Sequence, residues 1–189
     1  MRHMKRSALL LLAAAFFGTG AARLSERTGE PTIVYIVRHA EKKSGEQLSE
    51  QERKDDRLVD LLPEGYARAE VLAWMLRDVE FDAVYSTDYK RTRMTIKPLA
   101  DRQSLDMRIL DPRMRRAGST IRSKDQAGKT LLMCGHSNTI PSLLKELGVE
   151  IPEKILKGYD DLFVVVLGRE GDGGVGSVTL QRVHYPGRR

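Results

Sequence analysis

The chain has 189 residues, with 32 Lys and Arg against 26 Asp and Glu, and a formal net charge of +6. This length suits one domain with one core. Apolar residues make up 41% and charged residues 31% of the chain, which excludes a disordered composition. The single Cys excludes an internal disulfide framework and a multi-cysteine metal cluster.

The N-terminal segment has the pattern of a secretory signal peptide. Basic residues in positions 2–6 precede an apolar run over 8–17, and small residues follow at 18–22. The run is shorter than the roughly 18–20 residues that cross a bilayer, so a cleaved signal is favoured over a retained anchor. No Cys lies near its end, which excludes a lipoprotein anchor there. We expect a signal at 1–22, a linker at 23–31, one domain at 32–189, and export to the periplasm or medium.

The overall basic charge is therefore in part a targeting feature. Cleavage after Ala22 would remove three basic residues and no acidic ones, which is half of the net charge of +6. The remaining basic residues are interleaved with acids, and no aromatic stacking platform is visible, which argues against a nucleic-acid partner. After cleavage we expect no stable membrane insertion.

The first half of the domain alternates strand and helix patterns. A β-branched run at 32–37 predicts a buried strand. Residues 43–60 are highly charged without a helical apolar stripe and predict a solvated loop or lid. A helix should follow from Pro63, since proline is tolerated in the first turn. One face of that helix carries four apolar residues at helical spacing: Ala69, Leu72, Ala73 and Leu76.

The pattern continues with a second strand at 81–85 and a helix at 89–100 that has Pro98 near its end. A weaker strand is predicted at 107–110, whereas the polar, basic stretch 113–129 has no firm assignment. A buried strand at 130–134 then leads to a helix with an apolar face that ends before Gly148, a good C-cap.

Two strands at 162–167 and 178–184, joined by a Gly-rich turn, predict a hairpin. Together the segments predict an α/β fold, a three-layer αβα sandwich with a mostly parallel central sheet and an antiparallel edge hairpin.

The chemistry-bearing residues follow the ends of predicted strands, where ligands bind in such sheets. The first strand runs into Arg38-His39-Ala40-Glu41. The second runs into residues 86–91 (STDYKR), with Thr95 four residues later. The strand at 130–134 runs into residues 135–139 (GHSNT) at the start of a helix.

A crevice lined by two histidines and two arginines has the side chains needed to bind a phosphoryl group. Arg38 and Arg91 present planar forks of donors that match phosphate oxygens, and the helix start at Ser137 and Asn138 adds backbone N–H groups. A neutral imidazole can attack phosphorus when positive groups hold the transferred charge. Such a site needs no metal or other cofactor.

These three motifs, in this order and spacing, resemble the histidine phosphatase superfamily, branch 1, the phosphoglycerate mutase-like type. The resemblance runs from about residue 32 to at least 167. It implies that His39 is the nucleophile that becomes phosphohistidine and that Arg38 and Arg91 bind phosphate oxygens. It implies that His136 stabilises the transition state and that Asn138 lines the pocket.

The proton donor for the leaving group is the open position in this resemblance. Many members carry an acid after the third strand, where this chain has Asp111 followed by Pro112. Asp111 is the best candidate by position and Glu41 is the second. The sequence also has Ala40, Leu62, Asp88 and Met94 where the family commonly has Gly, Thr, Pro and Gln.

The sequence thus predicts an exported, metal-independent phosphatase for a small phosphomonoester or a phosphohistidine. Two alternatives stay open. One is a phosphomutase, although the chain is short for the insertions that enclose a bisphosphate. The other is a non-catalytic phosphate-binding envelope protein that retains the pocket.

Overall fold

The computed structural model describes residues 29–151, 156, 158–169 and 174–187. These residues contain six strands, β1 (Thr32–Arg38), β2 (Ala83–Thr87), β3 (Met107–Leu110), β4 (Thr130–Gly135), β5 (Asp161–Arg169) and β6 (Val175–His184). They also contain five α-helices, α1 (Glu50–Lys54), α2 (Pro63–Met75), α3 (Lys90–Arg102), α4 (Ala117–Arg122) and α5 (Ile140–Glu146). Short 3-10 turns lie between several of these elements.

All six strands form one sheet in the order β3-β2-β4-β1-β5-β6. The pairs β3–β2, β2–β4 and β4–β1 are parallel, whereas β1–β5 and β5–β6 are antiparallel. The predicted mixed sheet with an antiparallel edge hairpin is therefore confirmed. Because the four parallel strands point the same way, their carboxyl ends meet at one edge, and the start of β5 meets them there.

Side chains alternate between the two faces of the sheet, and each face has its own core. Val34 and Ile36 of β1 pack on one face with residues of α4 and α5. Val37, the next residue along β1, packs on the other face with residues of α2 and α3. Helices thus cover both faces of the sheet, as a three-layer αβα sandwich requires.

Several predicted elements match the structure closely. Helix α2 begins at Pro63, and the four predicted apolar residues of its inner face are all buried. Gly148 has a φ of +80° at the end of α5, the left-handed conformation expected for a glycine C-cap.

Other elements differ in extent. Strand β2 begins two residues later than predicted and includes Ser86 and Thr87, which are fully buried. Their hydroxyl groups are hydrogen-bonded within the sheet edge, so burial costs little. Helix α3 continues four residues beyond Pro98, because Leu99 and Ala100 are buried against the sheet.

The charged segment 43–60 is folded rather than an open loop. It contains α1 flanked by two 3-10 turns, and Glu52 holds it together from inside. The Glu52 carboxylate accepts hydrogen bonds from the backbone N–H groups of Ser49 (2.8 Å) and Asp60 (3.0 Å) and pairs with Lys43 at 3.3 Å. The hydrogen bonds with the side chain and backbone of Ser49, followed by those with Asp60 and Lys43, lower the pKa of Glu52 to about 2. Such internal polar contacts leave no apolar periodicity in the sequence. We call residues 43–60 the cap.

The predicted signal and most of the predicted linker, residues 1–28, lie outside the described residues. No helix within the described ranges is long and apolar enough to cross a membrane.

Candidate active site

Backbone register brings the predicted site residues together at the carboxyl edge of the sheet. Arg38 is paired with Gly135 across β1 and β4, and the His39 N–H continues this ladder to the Gly135 carbonyl at 3.0 Å. His39 and His136 therefore follow neighbouring parallel strands at the same level. Their ring centroids lie 5.4 Å apart.

His39 is held in the tautomer that a nucleophile requires. Its Nδ1 lies 2.8 Å from the Ala40 carbonyl oxygen. Because a carbonyl can only accept, Nδ1 carries the proton and Nε2 keeps its lone pair. Burial lowers the pKa of His39 to about 3, against the effect of the Ala40 hydrogen bond, and nearby His136, Arg91 and Arg38 lower it further. His39 is thus neutral and able to attack at neutral pH.

Thr95 supports this arrangement from α3. Its hydroxyl accepts the Ala40 N–H at 2.9 Å and donates to the Arg91 carbonyl at 2.7 Å. The second motif is thereby tied to the residue that orients His39. This contact gives a physical reason for a threonine four residues after Arg91.

His136 is oriented by a threonine pair at the end of β2. Its Nε2 lies 2.9 Å from the Thr87 hydroxyl, which lies 3.0 Å from the Thr92 hydroxyl. Thr92 in turn donates to the Tyr89 carbonyl at 2.8 Å. With Nε2 engaged by Thr87, Nδ1 is the ring nitrogen left for a ligand. Burial, followed by nearby Arg91, lowers the pKa of His136 to about 4.

Each arginine of the site stacks on a tyrosine that also contacts a histidine. The Arg38 guanidinium lies 4.2 Å from the Tyr159 ring centroid, and the Arg91 guanidinium lies 4.2 Å from that of Tyr89. The Tyr159 ring lies 5.8 Å from His39, and the Tyr89 ring lies 4.8 Å from His136. Stacking on the tyrosine rings restricts the orientation of the two guanidinium planes.

Both arginines keep a donor free of protein partners. Nη1 of Arg38 donates to the Gly158 carbonyl at 3.0 Å, while Arg91 donates to the cap residue Asp56 through both terminal nitrogens. Within the described residues, the buried Nε atoms of Arg38 and Arg91 have no hydrogen-bond partner. A buried unpaired donor costs about 1–3 kcal/mol, and more when it is charged. Two such donors beside two histidines fit a bound anion.

The two acids suggested by the sequence have other contacts. Glu41 accepts from Nε and Nη2 of Arg68, with a shortest distance of 2.5 Å. Both of its oxygens are thereby committed to a structural ion pair between the end of β1 and α2. The Asp111 carboxylate accepts the backbone N–H groups of Arg113 and Arg115, each at 3.0 Å. Asp111 thus shapes the turn after edge strand β3, and neither acid is hydrogen-bonded to the site.

Ser137 and Asn138 lie in the turn between β4 and α5 and are exposed. The hydroxyl of Thr139 accepts the His136 N–H at 3.0 Å, and the N–H of Ile140 bonds back to the His136 carbonyl at 3.0 Å. The turn places both predicted substrate-binding residues beside His136, with their side chains directed to solvent.

Sequence reasoning passed over four residues that the fold brings to the site: Asp56, Thr87, Tyr89 and Tyr159. Thr87 and Tyr89 belong to the second motif, so their position near Arg91 was a usable signal. Tyr159 precedes β5, and only the antiparallel pairing of β5 with β1 places it on Arg38. Asp56 is one of many charged residues in the cap, and no sequence pattern distinguishes it.

The depressed histidine pKa values predict an unusual titration. We expect the ring NMR signals of His39 and His136 in the ligand-free protein to stay those of neutral imidazole from pH 8 down to about pH 5. Histidines of the urea-unfolded chain, the control, should titrate near 6.5. At pH values between the lowered pKa values of the folded protein and 6.5, the unfolded chain binds protons at His39 and His136 that the folded protein does not bind. The free energy of unfolding should therefore fall as the pH drops below about 6.5. A His39 signal that titrates near 6.5 in the native protein would contradict the buried, neutral geometry.

Thr87 should affect catalysis through His136. Replacing Thr87 by valine keeps the size but removes the hydroxyl that bonds Nε2, so the His136 ring loses the contact that orients it. We expect kcat for phosphate-ester hydrolysis to fall about 10- to 100-fold, as for other residues that orient a functional histidine. Thr87→Ser, which keeps the hydroxyl, should restore most of the rate. Equal rates for the valine and serine variants would show that the hydroxyl has no part in orienting His136.

The fold brings two histidines and two arginines together, and side chains of these types can bind a phosphoryl group. Residues 34–115, somewhat less than half of the chain, match the model of the histidine phosphatase superfamily (branch 1). The match confirms the resemblance that the motifs predicted and supports a phosphatase enzyme. It includes Arg38, His39 and Arg91, while His136 lies beyond it.

Solved structures share the fold at low sequence identity. The protein histidine phosphatase SixA complexed with tungstate has a TM-score of 0.60 and 16% identity, covering 80% of this chain and 96% of that one. A mycobacterial glucosyl-3-phosphoglycerate phosphatase has a TM-score of 0.57 and 13% identity, covering 84% and 100%. The phosphoglycerate mutase of Plasmodium falciparum has a TM-score of 0.54 and 17% identity, covering 83% and 95%. The comparison with curated proteins found no match.

Proposed function

We propose that this protein is an exported phosphatase that hydrolyses a small phosphomonoester or a phosphohistidine through a phosphohistidine on His39. One observation carries the proposal: a neutral, oriented His39 lies beside His136 and two arginines whose buried Nε donors lack a partner among the described residues. A similar protein, the histidine phosphatase SixA, is seen with tungstate, a tetrahedral oxyanion like phosphate.

In the first step, Nε2 of His39 forms a bond to phosphorus as the bond to the leaving oxygen breaks. Arg38, Arg91 and His136 hold the equatorial oxygens, on which negative charge is spread in the transition state. Water then attacks the phosphohistidine, which releases phosphate and returns neutral His39. Because the positive charge comes from side chains, we propose that no metal takes part.

The test is to trap the phosphoenzyme. The protein should be mixed with a ³²P-labelled aryl phosphate, quenched in alkali within milliseconds, and analysed for label on His39 by mass spectrometry. Phosphohistidine is stable in alkali and labile in acid, so acid treatment should release the label. Chelator should leave both labelling and turnover unchanged. A protein that binds phosphate but never becomes labelled would be a binding protein instead.

Export rests on the sequence of residues 1–22 alone. Expression of the full chain in a secreting bacterial host should yield mature protein in the periplasm or medium, with a new N-terminus at about residue 23. Full-length protein that stays in the cytoplasm would refute this part of the proposal.

A further inference from the structure

The phosphate-binding arginine Arg91 is engaged by a carboxylate of the cap. Its Nη2 donates to Oδ2 of Asp56 at 2.9 Å, and its Nη1 donates to the Asp56 carbonyl at 2.7 Å. The other carboxylate oxygen lies 3.8 Å from Nζ of Lys42. The Asp56 side chain is 61% exposed, so it can turn away from Arg91 without being buried.

A carboxylate and a phosphoryl group compete for the same donors. Both accept hydrogen bonds from the planar guanidinium fork. When a phosphoryl group binds Arg91 it displaces the Asp56 carboxylate or shares Nη2 with it. A substrate that binds as its monoanion brings a proton to this contact, which it can give to the Asp56 carboxylate. Binding of the substrate would thus prepare an acid beside the ester oxygen.

We propose that Asp56 is the general acid of the reaction and that its carboxylate occupies Arg91 when no phosphoryl group is bound. This inference rests on the proposed phosphatase function. It assigns the proton donor to the cap, since Glu41 is paired with Arg68 and Asp111 holds a backbone turn.

The proton balance closes over the two steps. As Nε2 of His39 bonds to phosphorus, the leaving oxygen departs and takes the proton of the Asp56 carboxyl group, which leaves a carboxylate. In the second step water attacks phosphorus, the N–P bond of His39 breaks, and a water proton passes to Asp56. Phosphate takes this proton as it leaves, so Asp56 returns to the carboxylate that pairs with Arg91. The proton used in the first step came with the substrate, which binds as its monoanion and protonates Asp56.

The test variant is Asp56→Asn and its matched control is Asp55→Asn. Asp55 is the adjacent acid, and its carboxylate pairs with Arg57 at 2.8 Å and caps a 3-10 turn rather than contacting Arg91. Asparagine serves equally well as the N-cap residue of such a turn. Near-ultraviolet circular dichroism of the two variants shows whether the surroundings of Tyr66, which bonds the cap residue Asp60, and of Tyr89, which stacks on Arg91, are retained.

Two esters separate acid catalysis from a structural effect. On an alkyl phosphate, whose leaving oxygen needs a proton, Asp56→Asn should lower kcat/KM about 100- to 1,000-fold, within the usual range for general acids. On p-nitrophenyl phosphate, whose leaving group departs as a stable anion, the loss should be only about threefold. Asp55→Asn should stay within about twofold of wild type on both.

Inorganic phosphate tests the second part of the proposal. Loss of the competing carboxylate should make phosphate bind Asp56→Asn several-fold more tightly than wild type by calorimetry, whereas Asp55→Asn should be unchanged. Equal losses on the two esters, or no loss on the alkyl ester, would overturn the acid role. Unchanged or weaker phosphate binding would overturn the competition at Arg91. A wild-type protein that hydrolyses neither the two esters nor a phosphohistidine peptide would refute the phosphatase function, and the acid role with it.

Discussion

Replacing His39 by alanine should abolish turnover. In the proposed mechanism the imidazole supplies, through Nε2, the atom that bonds to phosphorus, while its Nδ1–H is committed to the Ala40 carbonyl at 2.8 Å. Loss of a nucleophile that works within an oriented set costs on the order of 10⁴-fold or more in kcat. We expect no phosphoenzyme label and a rate at the limit of detection with an aryl phosphate.

His184→Ala is the matched control for this loss. His184 ends β6, is 58% exposed, and contacts Asp160 rather than the two site arginines. Its removal should leave kcat within about twofold of wild type. Phosphate binding by His39→Ala should persist, because Arg38 and Arg91 remain. Wild-type activity in His39→Ala would show that the reaction does not pass through this histidine.

Arg91→Lys should be almost as damaging, even though it keeps the charge. A guanidinium offers a flat fork and a buried Nε donor, whereas an ammonium is a point charge with a different reach. Lysine also loses the fixed stacking on Tyr89, whose ring centroid lies 4.2 Å from the guanidinium carbon. Removal of one preorganised donor to a developing oxyanion costs about 10²- to 10³-fold. We expect a loss of this size in kcat/KM for an aryl phosphate.

Arg93→Lys provides the comparison on the same helix. Arg93 lies two residues further along α3 and pairs with Asp88 rather than facing the histidines. Exposed pairs of this kind contribute little to stability, so Arg93→Lys should retain at least half of the wild-type kcat/KM. If both lysine variants lose the same activity, the effect belongs to α3 as a whole and not to phosphate binding by Arg91.

The order of the elements could be predicted because each strand and helix carries a local signal. The apolar runs of β1 and β4 are local signals of buried strands, and the apolar face of α2 repeats at helical spacing. The errors occurred where burial depends on distant contacts. Ser86 and Thr87 are polar by composition but buried at the sheet edge. The cap folds around Glu52, whose carboxylate makes several polar contacts that leave no apolar pattern.

The candidate site likewise contains residues that the sequence could predict and residues that only distant contacts bring there. The grouping of His39, His136, Arg38 and Arg91 could be predicted, since all four lie at or within four residues of the carboxyl ends of parallel strands that are neighbours in the sheet. Their orienting partners could not all be named. The pairing of β5 with β1 brings Tyr159 to Arg38 across more than a hundred residues of chain. The folding of the cap brings Asp56 onto Arg91.

The net charge of +6 gives little information about the binding partner. The positions of a few arginine side chains at the sheet edge give much more information about it. By itself the sequence determined the sheet class, the strand-end motifs and the phosphoryl chemistry that they support, because these depend on residues close together along the chain. Only the tertiary structure decided which acids are committed to structural pairs and which one contacts Arg91, the arginine proposed to bind phosphate. Charged side chains carry no periodic signal, and their partners are chosen by how distant segments pack.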